Sequence, residues 1–356
     1  MTQTILITGG AGFVGSNLAF LLKSKYPDWK IIALDSLKRR GSELNIPFLK
    51  SVGVEFLHGD IRNKEDLCID EKIDFIIDAA AEPSILAGLD GTPDYLINTN
   101  LNGTIHLLNL ATRHNAGFIF LSTSRIYPIK TLENLNYREN DFRFELEDVQ
   151  PVQGCSKNGI AETFPLLGAR SFYGATKLAS ELILQEYEAF YGLKAVVNRC
   201  GVIAGPRQMG KVDQGVVVLW MARHFWKKVL SYIGYNGSGK QVRDVMHIYD
   251  LFDLVDYELA HFTEVAGKVY NAGGGRNVSF SLKELTEHCA EITGNKTPIE
   301  KILTNRTGDI PIYITDHSLV TEETGWNPRR NLQTLLTDIY EWIKKDEKQL
   351  KNILAG

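Results

Sequence analysis

Short, almost wholly apolar segments rich in Ile, Val and Phe recur along the chain and alternate with longer amphipathic segments. Strands covered on both faces of a parallel sheet read as continuous hydrophobic runs, so the short segments are predicted strands. They are "TILIT" (4–8), "IIALD" (31–35), "VEFLHGD" (54–60), "DFIIDAA" (74–80), "GFIFLST" (117–123) and "KAVVNR" (194–199). The helix-like segments between them include "FVGSNLAFLLKSKY", "PDYLINTNLNGTIHLLNLATRHN" and "GATKLASELILQEYEAFYG". This alternation predicts an α/β protein built on a doubly wound parallel sheet.

The pattern loosens after about residue 200, where glycine-rich turns such as "NAGGGRN" predict a smaller, mixed α/β C-terminal lobe. The segment "DVMHIYDLFDLVDYELAHF" (244–262) is predicted to be helical and to return to the main sheet. We therefore expect a sheet domain from residues 1–200 with 244–268, and a lobe from 201–243 and 269–356. Residues 128–170 form an unusually long connector, which we expect to fold over a ligand because such long connections are usually functional lids or mobile loops.

Composition excludes several classes of protein for this chain of 356 residues. A net charge of −4 gives no reason to expect binding to nucleic acid or to an anionic membrane. The four cysteines are scattered without the spacing of a metal site, which suits a reduced compartment. The sequence contains neither a signal-peptide pattern nor an apolar run of about 18 residues. We therefore expect a cytoplasmic protein without a metal.

Three glycines directly follow the first predicted strand. "TGGAGFVGS" places Gly9, Gly12 and Gly15 between a strand and a helix, which is the context that a dinucleotide-binding loop requires. Gly9 permits the tight turn, Gly12 lets the backbone approach a pyrophosphate at the helix N-terminus, and Gly15 allows close helix–strand packing. Asp35 ends the second strand about 20 residues later, where a carboxylate accepts a hydrogen bond from a ribose hydroxyl. These features predict a Rossmann-type dinucleotide site.

Residues at the ends of the next strands bear on the choice of cofactor. Arg39 and Arg40 could pair with a 2′-phosphate, but Asp35 would repel that phosphate, so NAD is favoured over NADP. Small residues after the fourth strand leave room for the dinucleotide, although packing alone is the alternative explanation. The remaining predicted cofactor contacts are Phe13, Val14, Asp60, Ile61, Ala79, Ala80, Ala81 and Asn100.

The stretch "SFYGATKLASE" (171–181) places Tyr173 and Lys177 four residues apart at the start of a predicted helix. Positions i and i+4 share a helix face, so the phenol and the ammonium can meet. An isolated pair of this kind is more often a half-buried aromatic beside a surface lysine. A free phenol titrates near ~10, but a nearby ammonium favours the phenolate and makes it a better base.

Several segments together resemble the extended short-chain dehydrogenase/reductase family of sugar-nucleotide epimerases and dehydratases. They are "TGGAGFVG", "NLNGT", "STSRIY", "YGATK", "VRDVMHIYDL", "RTGD" and "TGWNP". The resemblance covers nearly the whole chain and implies bound NAD, with residues 1–200 as its domain and the lobe as the sugar-nucleotide site. It also implies that Tyr173 is the acid/base, that Lys177 holds the nicotinamide ribose, and that Thr123 or Ser124 donates a hydroxyl to the reacting oxygen.

Dehydratases of this family carry an Asp–Glu pair directly after that threonine, where this chain has Ser124 and Arg125, which argues against dehydration. Within the family, "DSLKRRGSELN", "VDQG" (212–215) and "GSGKQVRDVMHIYDL" resemble the epimerases that act at carbon 2 of CDP-linked 3,6-dideoxyhexoses, CDP-paratose and CDP-tyvelose. Two alternatives remain open. One is a 4-epimerase or 4-ketoreductase of another UDP-, GDP- or CDP-sugar, and the other is a non-catalytic NAD(P)-sensing protein.

The resemblance also assigns substrate contacts in both parts of the chain. Arg243 and Arg306 match positions that hold the diphosphate, a role that suits a planar guanidinium, with surface ion pairs as the alternative. Gln214, Gln241 and Ser84 are weaker candidates for nucleotide or sugar hydroxyls. Relatives commonly dimerise through a four-helix bundle, and the apolar spacing of two predicted helices permits a homodimer.

Overall fold

The computed structural model of the protein describes residues 2–89, 91–210 and 214–355. Its strands are β1 (Thr4–Thr8), β2 (Lys30–Asp35), β3 (Glu55–His58), β4 (Phe75–Asp78), β5 (Gly117–Thr123), β6 (Tyr137–Glu139), β7 (Phe144–Leu146), β8 (Cys155–Ser156), β9 (Gly159–Ile160), β10 (Ala195–Cys200), β11 (Val202–Ala204), β12 (Leu230–Ile233), β13 (Val242–His247), β14 (Lys268–Ala272), β15 (Ser279–Ser281), β16 (Ile299–Ile302) and β17 (Ile312–Tyr313). Its α-helices are α1 (Phe13–Lys25), α2 (Ile46–Lys50), α3 (Asp94–Ile97), α4 (Gly103–His114), α5 (Ile129–Glu133), α6 (Phe172–Tyr191), α7 (Val216–Phe225), α8 (Ile248–Ala260), α9 (Phe262–Val265), α10 (Leu282–Thr293), α11 (Ser318–Thr324), α12 (Leu332–Lys345) and α13 (Glu347–Leu354).

The chain forms two compact units, each assembled from three stretches of sequence. The first unit comprises Met1–Thr123, Phe172–Arg199 and Leu251–Tyr270, and the second comprises Ser124–Ser171, Cys200–Asp250 and Asn271–Gly356. The long connector thus belongs to the second unit. The assignment of cofactor binding to one domain and substrate binding to another stays a prediction.

The first unit is built on a seven-stranded sheet in the order β14–β10–β5–β4–β1–β2–β3. The strand pairs β1–β2, β1–β4, β2–β3 and β4–β5 are parallel. The predicted doubly wound α/β fold is confirmed. Ile5, Leu6 and Ile7 of the central strand β1 are fully buried, as expected of a strand covered on both faces. The strand order reverses between β1 and β4, and such sheets bind ligands beyond the carboxyl ends of the strands at this point.

Two predictions of secondary structure were wrong at the C-terminal side. Residues 244–247 belong to strand β13 and not to a helix, because β13 pairs with β11, β15 and β17, and this non-local pairing outweighs the helical pattern. The strand β14 was missed, since its last residues run into the glycine-rich stretch that was predicted as a turn. The helix α8 starts only at Ile248.

The connector 128–170 is a folded part of the second unit. It contains the small antiparallel pairs β6–β7 and β8–β9. The backbone N–H of Phe144 donates to the carbonyl of Lys240 at 3.0 Å, and that of Ile160 donates to the carbonyl of Ile314 at 2.8 Å. These bonds attach the connector to its own unit, and its role as a lid stays a prediction. Among the residues that the structure describes, none of the helices combines the length and apolar character needed to cross a membrane.

Candidate active site

The glycine loop after β1 has the conformation that the sequence predicted. Gly9 has a φ of 61°, which a residue with a side chain rarely adopts. A Cβ on Gly15 would lie 2.2 Å from the carbonyl oxygen of Gly9, so only glycine lets α1 approach this closely. Gly12 precedes α1 in an extended conformation, and the first turn of that helix carries no acidic residue. The first backbone N–H groups of α1 therefore lie beside the end of β1, at the positive end of the helix dipole and without an acidic side chain from the first turn.

The carboxylate of Asp35, at the end of β2, lies against this loop. It accepts hydrogen bonds from the backbone N–H groups of Ala11 at 3.1 Å, Gly12 at 3.2 Å and Leu37 at 2.7 Å. Burial raises the pKa of Asp35, and these N–H groups oppose that rise. The donors of the loop and the adjacent carboxylate are the groups that would meet the pyrophosphate and the ribose of a dinucleotide. The residues present therefore fit NAD.

The predicted cofactor residue Asp60 is held by a neighbour that sequence reasoning missed. The guanidinium of Arg62 donates from Nε at 3.0 Å and from Nη2 at 2.5 Å to the Asp60 carboxylate, and this contact lowers the pKa of Asp60. Arg62 also lies 4.8 Å from the centre of the Tyr95 ring, and the Lys38 ammonium lies 4.4 Å from it. Ile61 is buried and its carbonyl contacts His106. A contact of Asp60 or Ile61 with the cofactor stays a prediction.

The segment after β4 passes close to the glycine loop. A Cβ on Gly9 would lie 2.8 Å from the carbonyl oxygen of Ala79 and 2.9 Å from the Cα of Ala80. The backbone N–H of Ala80 donates to the hydroxyl of Thr8 at 3.3 Å. Phe13 and Val14 begin α1, and Ala81 follows Ala80. The fold thus brings these predicted residues together at the carboxyl ends of β1 and β4.

Asn100 is fully buried in a π-helical turn, Asn98–Asn102, between α3 and α4. Its side-chain oxygen accepts from the N–H of Glu82 at 2.8 Å. Its amide nitrogen donates to the Glu82 carbonyl at 3.1 Å and to the Thr176 hydroxyl at 3.3 Å. The Asn100 carbonyl also accepts from the hydroxyl of Ser180 at 3.0 Å. Asn100 therefore holds α6 to the segment after β4, and its predicted contact with the cofactor stays a prediction.

The predicted catalytic residues lie around the end of β5 and the start of α6. Lys177 is 1% exposed, and its ammonium lies 3.9 Å from the centre of the Phe120 ring on β5. Tyr173 is half-buried one turn earlier on the helix, and its carbonyl accepts from the hydroxyl of Thr176 at 2.9 Å. Thr123 is the last residue of β5 and is buried. The fold thus brings the ammonium of the YxxxK pair to β5, the strand that ends at the predicted hydroxyl donor.

Three further buried residues next to the Tyr173–Lys177 helix were not predicted, namely Ser122, Glu181 and Arg199. Glu181, on α6, accepts from Arg199 of β10 at 2.9 Å and from the hydroxyl of Ser122 on β5. Glu181 follows Lys177 by four residues and so shares its helix face, which is a signal that the sequence contained. The partners of Glu181 could not be read from spacing, because Ser122 and Arg199 meet only through the pairing order of the sheet.

The predicted diphosphate residues belong to the second unit. The guanidinium of Arg243, on β13, donates to the carboxylate of Asp309 at 2.8 Å and to the carbonyls of Val242 at 2.7 Å and Ile310 at 2.8 Å. Arg306 and Asp309 are the ends of one turn, in which the N–H of Asp309 donates to the Arg306 carbonyl at 3.2 Å. The fold thus places Arg306 in the turn that supplies the partner of Arg243.

The weaker substrate candidates make contacts within their own units. The side-chain nitrogen of Gln241 donates to the carbonyl of Ile233 at 3.1 Å, and Gln214 is half-buried just before α7. The hydroxyl of Ser84 accepts from the N–H of Leu86 at 3.3 Å, a local turn that agrees with simple capping. Contacts of these three residues with a substrate stay predictions. Residues 212 and 213 of the "VDQG" segment lie outside the described residues.

Comparisons with known proteins give consistent results. The model of the NAD dependent epimerase/dehydratase family matches residues 5–273. The chain is 32% identical over 353 residues to CDP-paratose 2-epimerase from Salmonella typhi. This alignment covers 95% of this chain and 98% of that protein. It is 29% identical to dTDP-glucose 4,6-dehydratase from Streptomyces griseus, over 97% of this chain and 95% of that protein. The solved structure of dTDP-glucose 4,6-dehydratase from Bacillus anthracis, in complex with NAD, matches with a TM-score of 0.78 at 26% identity, over 99% of this chain and 100% of that chain.

Proposed function

This chain belongs to the NAD-dependent epimerase/dehydratase family, and we propose that within it the protein epimerises carbon 2 of a CDP-linked 3,6-dideoxyhexose, interconverting CDP-paratose and CDP-tyvelose. The resemblance inferred from the sequence is confirmed, and so is NAD as the cofactor. The choice of carbon 2 and of the CDP-sugar rests on the 32% identity with CDP-paratose 2-epimerase over 95% of the chain.

The observation that supports catalysis best is the burial of Lys177 one helical turn from Tyr173. A buried ammonium favours the negative form of a neighbouring phenol, so Tyr173 is the residue suited to take a proton from a sugar hydroxyl and to return it. Thr123 ends the strand that Lys177 contacts, and its hydroxyl is suited to hold the reacting oxygen as alcohol and as ketone. NAD, when bound, supplies the acceptor and the donor of a hydride.

The chemistry of the sugar decides where the oxidation takes place. A 3,6-dideoxyhexose has no oxygen on carbon 3, and a ketone at carbon 4 would not acidify the hydrogen on carbon 2. Epimerisation at carbon 2 therefore calls for oxidation at carbon 2 itself. Tyr173 would then remove the hydroxyl proton at that carbon, hold it while the ketosugar presents its other face, and return it to the same oxygen.

Elimination of water, the reaction of the dehydratase relatives, is disfavoured by the residues that follow Thr123. This chain has Ser124 and Arg125 there. A guanidinium stays protonated in proteins and cannot take a proton from a sugar carbon, and a serine hydroxyl is a weak acid. The site thus has Tyr173, Lys177 and Thr123, the groups proposed for oxidation and reduction at an alcohol. It lacks an acidic pair at positions 124 and 125.

We propose that Arg243 and Arg306 bind the diphosphate of the sugar nucleotide. The Asp309 carboxylate and two carbonyls orient the Arg243 guanidinium, and a guanidinium has five N–H donors, so further donors are available for phosphate oxygens. Gln214, Gln241 and Ser84 are proposed as weaker contacts for nucleotide or sugar hydroxyls. A homodimer through α4 and α6 is also proposed, since Leu182, Phe190 and Tyr191 on α6 are exposed.

The test is to incubate the NAD-loaded protein with CDP-paratose and to follow CDP-tyvelose by NMR. We expect interconversion from either side without net consumption of cofactor, and none with Tyr173→Phe, which retains the ring. A protein that leaves both sugars unchanged would refute the proposed substrate, and a panel of UDP- and GDP-hexoses would then be assayed. Stoichiometric consumption of reduced cofactor with a 4-keto sugar would identify a reductase instead.

A further inference from the structure

The first unit contains a buried ion pair that connects the helix of Tyr173 and Lys177 to two strands of the sheet. Arg199 of β10 donates from Nη2 and Nε to the Glu181 carboxylate of α6, at 2.9 Å and 3.1 Å. The hydroxyl of Ser122, on β5, donates to the other carboxylate oxygen. Only 2% of the Glu181 side chain and 8% of the Arg199 side chain are exposed. Charges this deeply buried are costly unless they are paired, so the three groups depend on one another.

The network lies next to the catalytic end of α6 in two respects. On β5, Phe120 and Ser122 point to the same side of the sheet because side chains alternate along a strand. On α6, Lys177 and Glu181 lie on one face because they are four residues apart. Phe120 contacts Lys177 and Ser122 contacts Glu181, so two successive contacts fix the register of the helix on the strand. A shift of one residue would break both contacts.

The charges around Glu181 give the network a second consequence. Arg199 contacts the carboxylate from β10 and Ser122 contacts it from β5, while Lys177 lies one turn earlier on the same face of α6. With Arg199 in place, the Glu181 carboxylate is neutralised by an arginine that comes from a strand. Without Arg199, the buried carboxylate would keep its negative charge without its cation, on the helix that carries Lys177 and Tyr173, and that charge would oppose ionisation of the phenol.

We propose that Glu181 is a positioning residue for this reaction: with Ser122 and Arg199 it fixes α6 over the end of β5, and its pairing with Arg199 balances a buried negative charge on the helix that carries Tyr173 and Lys177. The inference rests on the proposed roles of Tyr173 and Lys177, and it adds the support that holds them in place. None of the three network residues needs to touch the sugar or the cofactor.

The test measures the ionisation of Tyr173 without a sugar substrate, so that it does not depend on the identity of that substrate. Phenolate absorbance is titrated in the NAD-loaded protein, and the curve of the same variant carrying Tyr173→Phe is subtracted. Arg199→Met leaves an unpaired negative charge and is expected to move the Tyr173 midpoint up by roughly one pH unit. Glu181→Gln leaves an unpaired positive charge and is expected to move it down. The double variant Glu181→Gln/Arg199→Met is expected to return near the wild-type midpoint.

Opposite shifts of the Tyr173 midpoint in the two single variants would support a role in positioning and charge balance. A merely weakened fold would shift this midpoint in the same direction in both variants. Equal midpoints in all variants, or shifts of the same sign, would overturn the proposal. Lys25→Met is the matched control, since it removes the cation of the Lys25–Asp256 pair at the far end of α1. The Tyr173 midpoint and the sugar turnover of Lys25→Met are expected to equal those of the wild type.

Two milder variants cover the case in which Arg199→Met does not fold. Ser122→Ala removes one donor to Glu181 without changing the charge, and Arg199→Lys keeps the charge with a shorter reach. Ser122→Ala is expected to lower kcat several-fold with an unchanged KM, and Arg199→Lys to retain the wild-type midpoint. A wild-type kcat in Ser122→Ala would contradict the proposal. If the wild type turns over neither CDP-sugar, the proposed substrate fails, while the titration still decides whether the network acts on Tyr173.

Discussion

Replacing Glu258 by glutamine is predicted to stabilise the protein at neutral pH and to leave its stability almost unchanged in acid. Glu258 lies on α8 and is fully buried, and both of its carboxylate oxygens accept from the side-chain nitrogen of Asn198 at 2.9 Å. Burial raises the pKa of Glu258 from 4.5 to about 8, against the opposing effect of the Asn198 hydrogen bonds. The carboxyl group is therefore neutral in the native protein at neutral pH.

The magnitude follows from the difference in proton binding between the two states. Between pH 4.5 and about 8 the unfolded chain releases this proton while the native protein retains it. The free energy of unfolding therefore falls as the pH rises through this window. At about pH 7, about 2.5 units of this window have been crossed, and each unit corresponds to about 1.4 kcal/mol, so the loss from this one group is about 3.5 kcal/mol. A glutamine cannot ionise in either state and removes that loss.

The assay is urea denaturation of the wild type and Glu258→Gln, followed by circular dichroism at about pH 5, 6, 7 and 8 with the NAD concentration held constant. We expect the variant to gain less than about 1 kcal/mol at pH 5, and progressively more up to pH 8. Glu186→Gln, at an exposed position on α6, is the control and is expected to show no such trend. A Glu258→Gln difference that is the same at every pH would refute the reasoning.

Three other predictions concern the site itself. Tyr173→Phe is expected to abolish sugar turnover while the circular dichroism spectrum and the NAD content stay those of the wild type; residual turnover above about 1% would argue against its role in proton transfer. Gly15→Ala places a Cβ 2.2 Å from a backbone oxygen, so both NAD content and melting temperature should fall, whereas Gly91→Ala, whose Cβ meets nothing within 4 Å, should change neither. Arg243→Met should raise the KM for the sugar nucleotide about 10- to 100-fold with little change in NAD content, as expected for a charged hydrogen bond to phosphate. Arg138→Met, which breaks an exposed ion pair of the same unit, serves as its control and should leave the KM unchanged.

The parts of the fold that could be predicted from the sequence are those in which local patterns agree with the tertiary environment. The strands β1 and β5 were predicted at their observed bounds, because a short apolar run flanked by turns has few alternatives when both faces are buried. The start of β13 could not be predicted in this way. Its residues also fit a helical period, and only the pairing with β11, β15 and β17 selects the extended form.

The site shows the same division between local and non-local information. The glycine loop and the Tyr173–Lys177 pair depend on spacings of a few residues, which the sequence displays directly. The partners of the Asn100 side chain lie 18 and 76 positions away along the chain, and those of the Glu181 side chain lie 18 and 59 positions away. Such contacts follow from the order of strands in the sheet. The contacts of the Asn100 amide with Glu82 and Thr176 could therefore not be predicted from spacing, and its contact with the cofactor stays a prediction.

The claim that the protein oxidises and reduces carbon 2 itself is tested most directly with isotopes. CDP-paratose carrying deuterium at carbon 2 is incubated with the NAD-loaded protein in ordinary water, and the unlabelled sugar is incubated in deuterated water. The account predicts that CDP-tyvelose keeps the deuterium at carbon 2 in the first experiment and gains none there in the second. Loss of the label to water, or uptake of solvent deuterium at carbon 2, would show proton abstraction from carbon and would contradict the proposed mechanism.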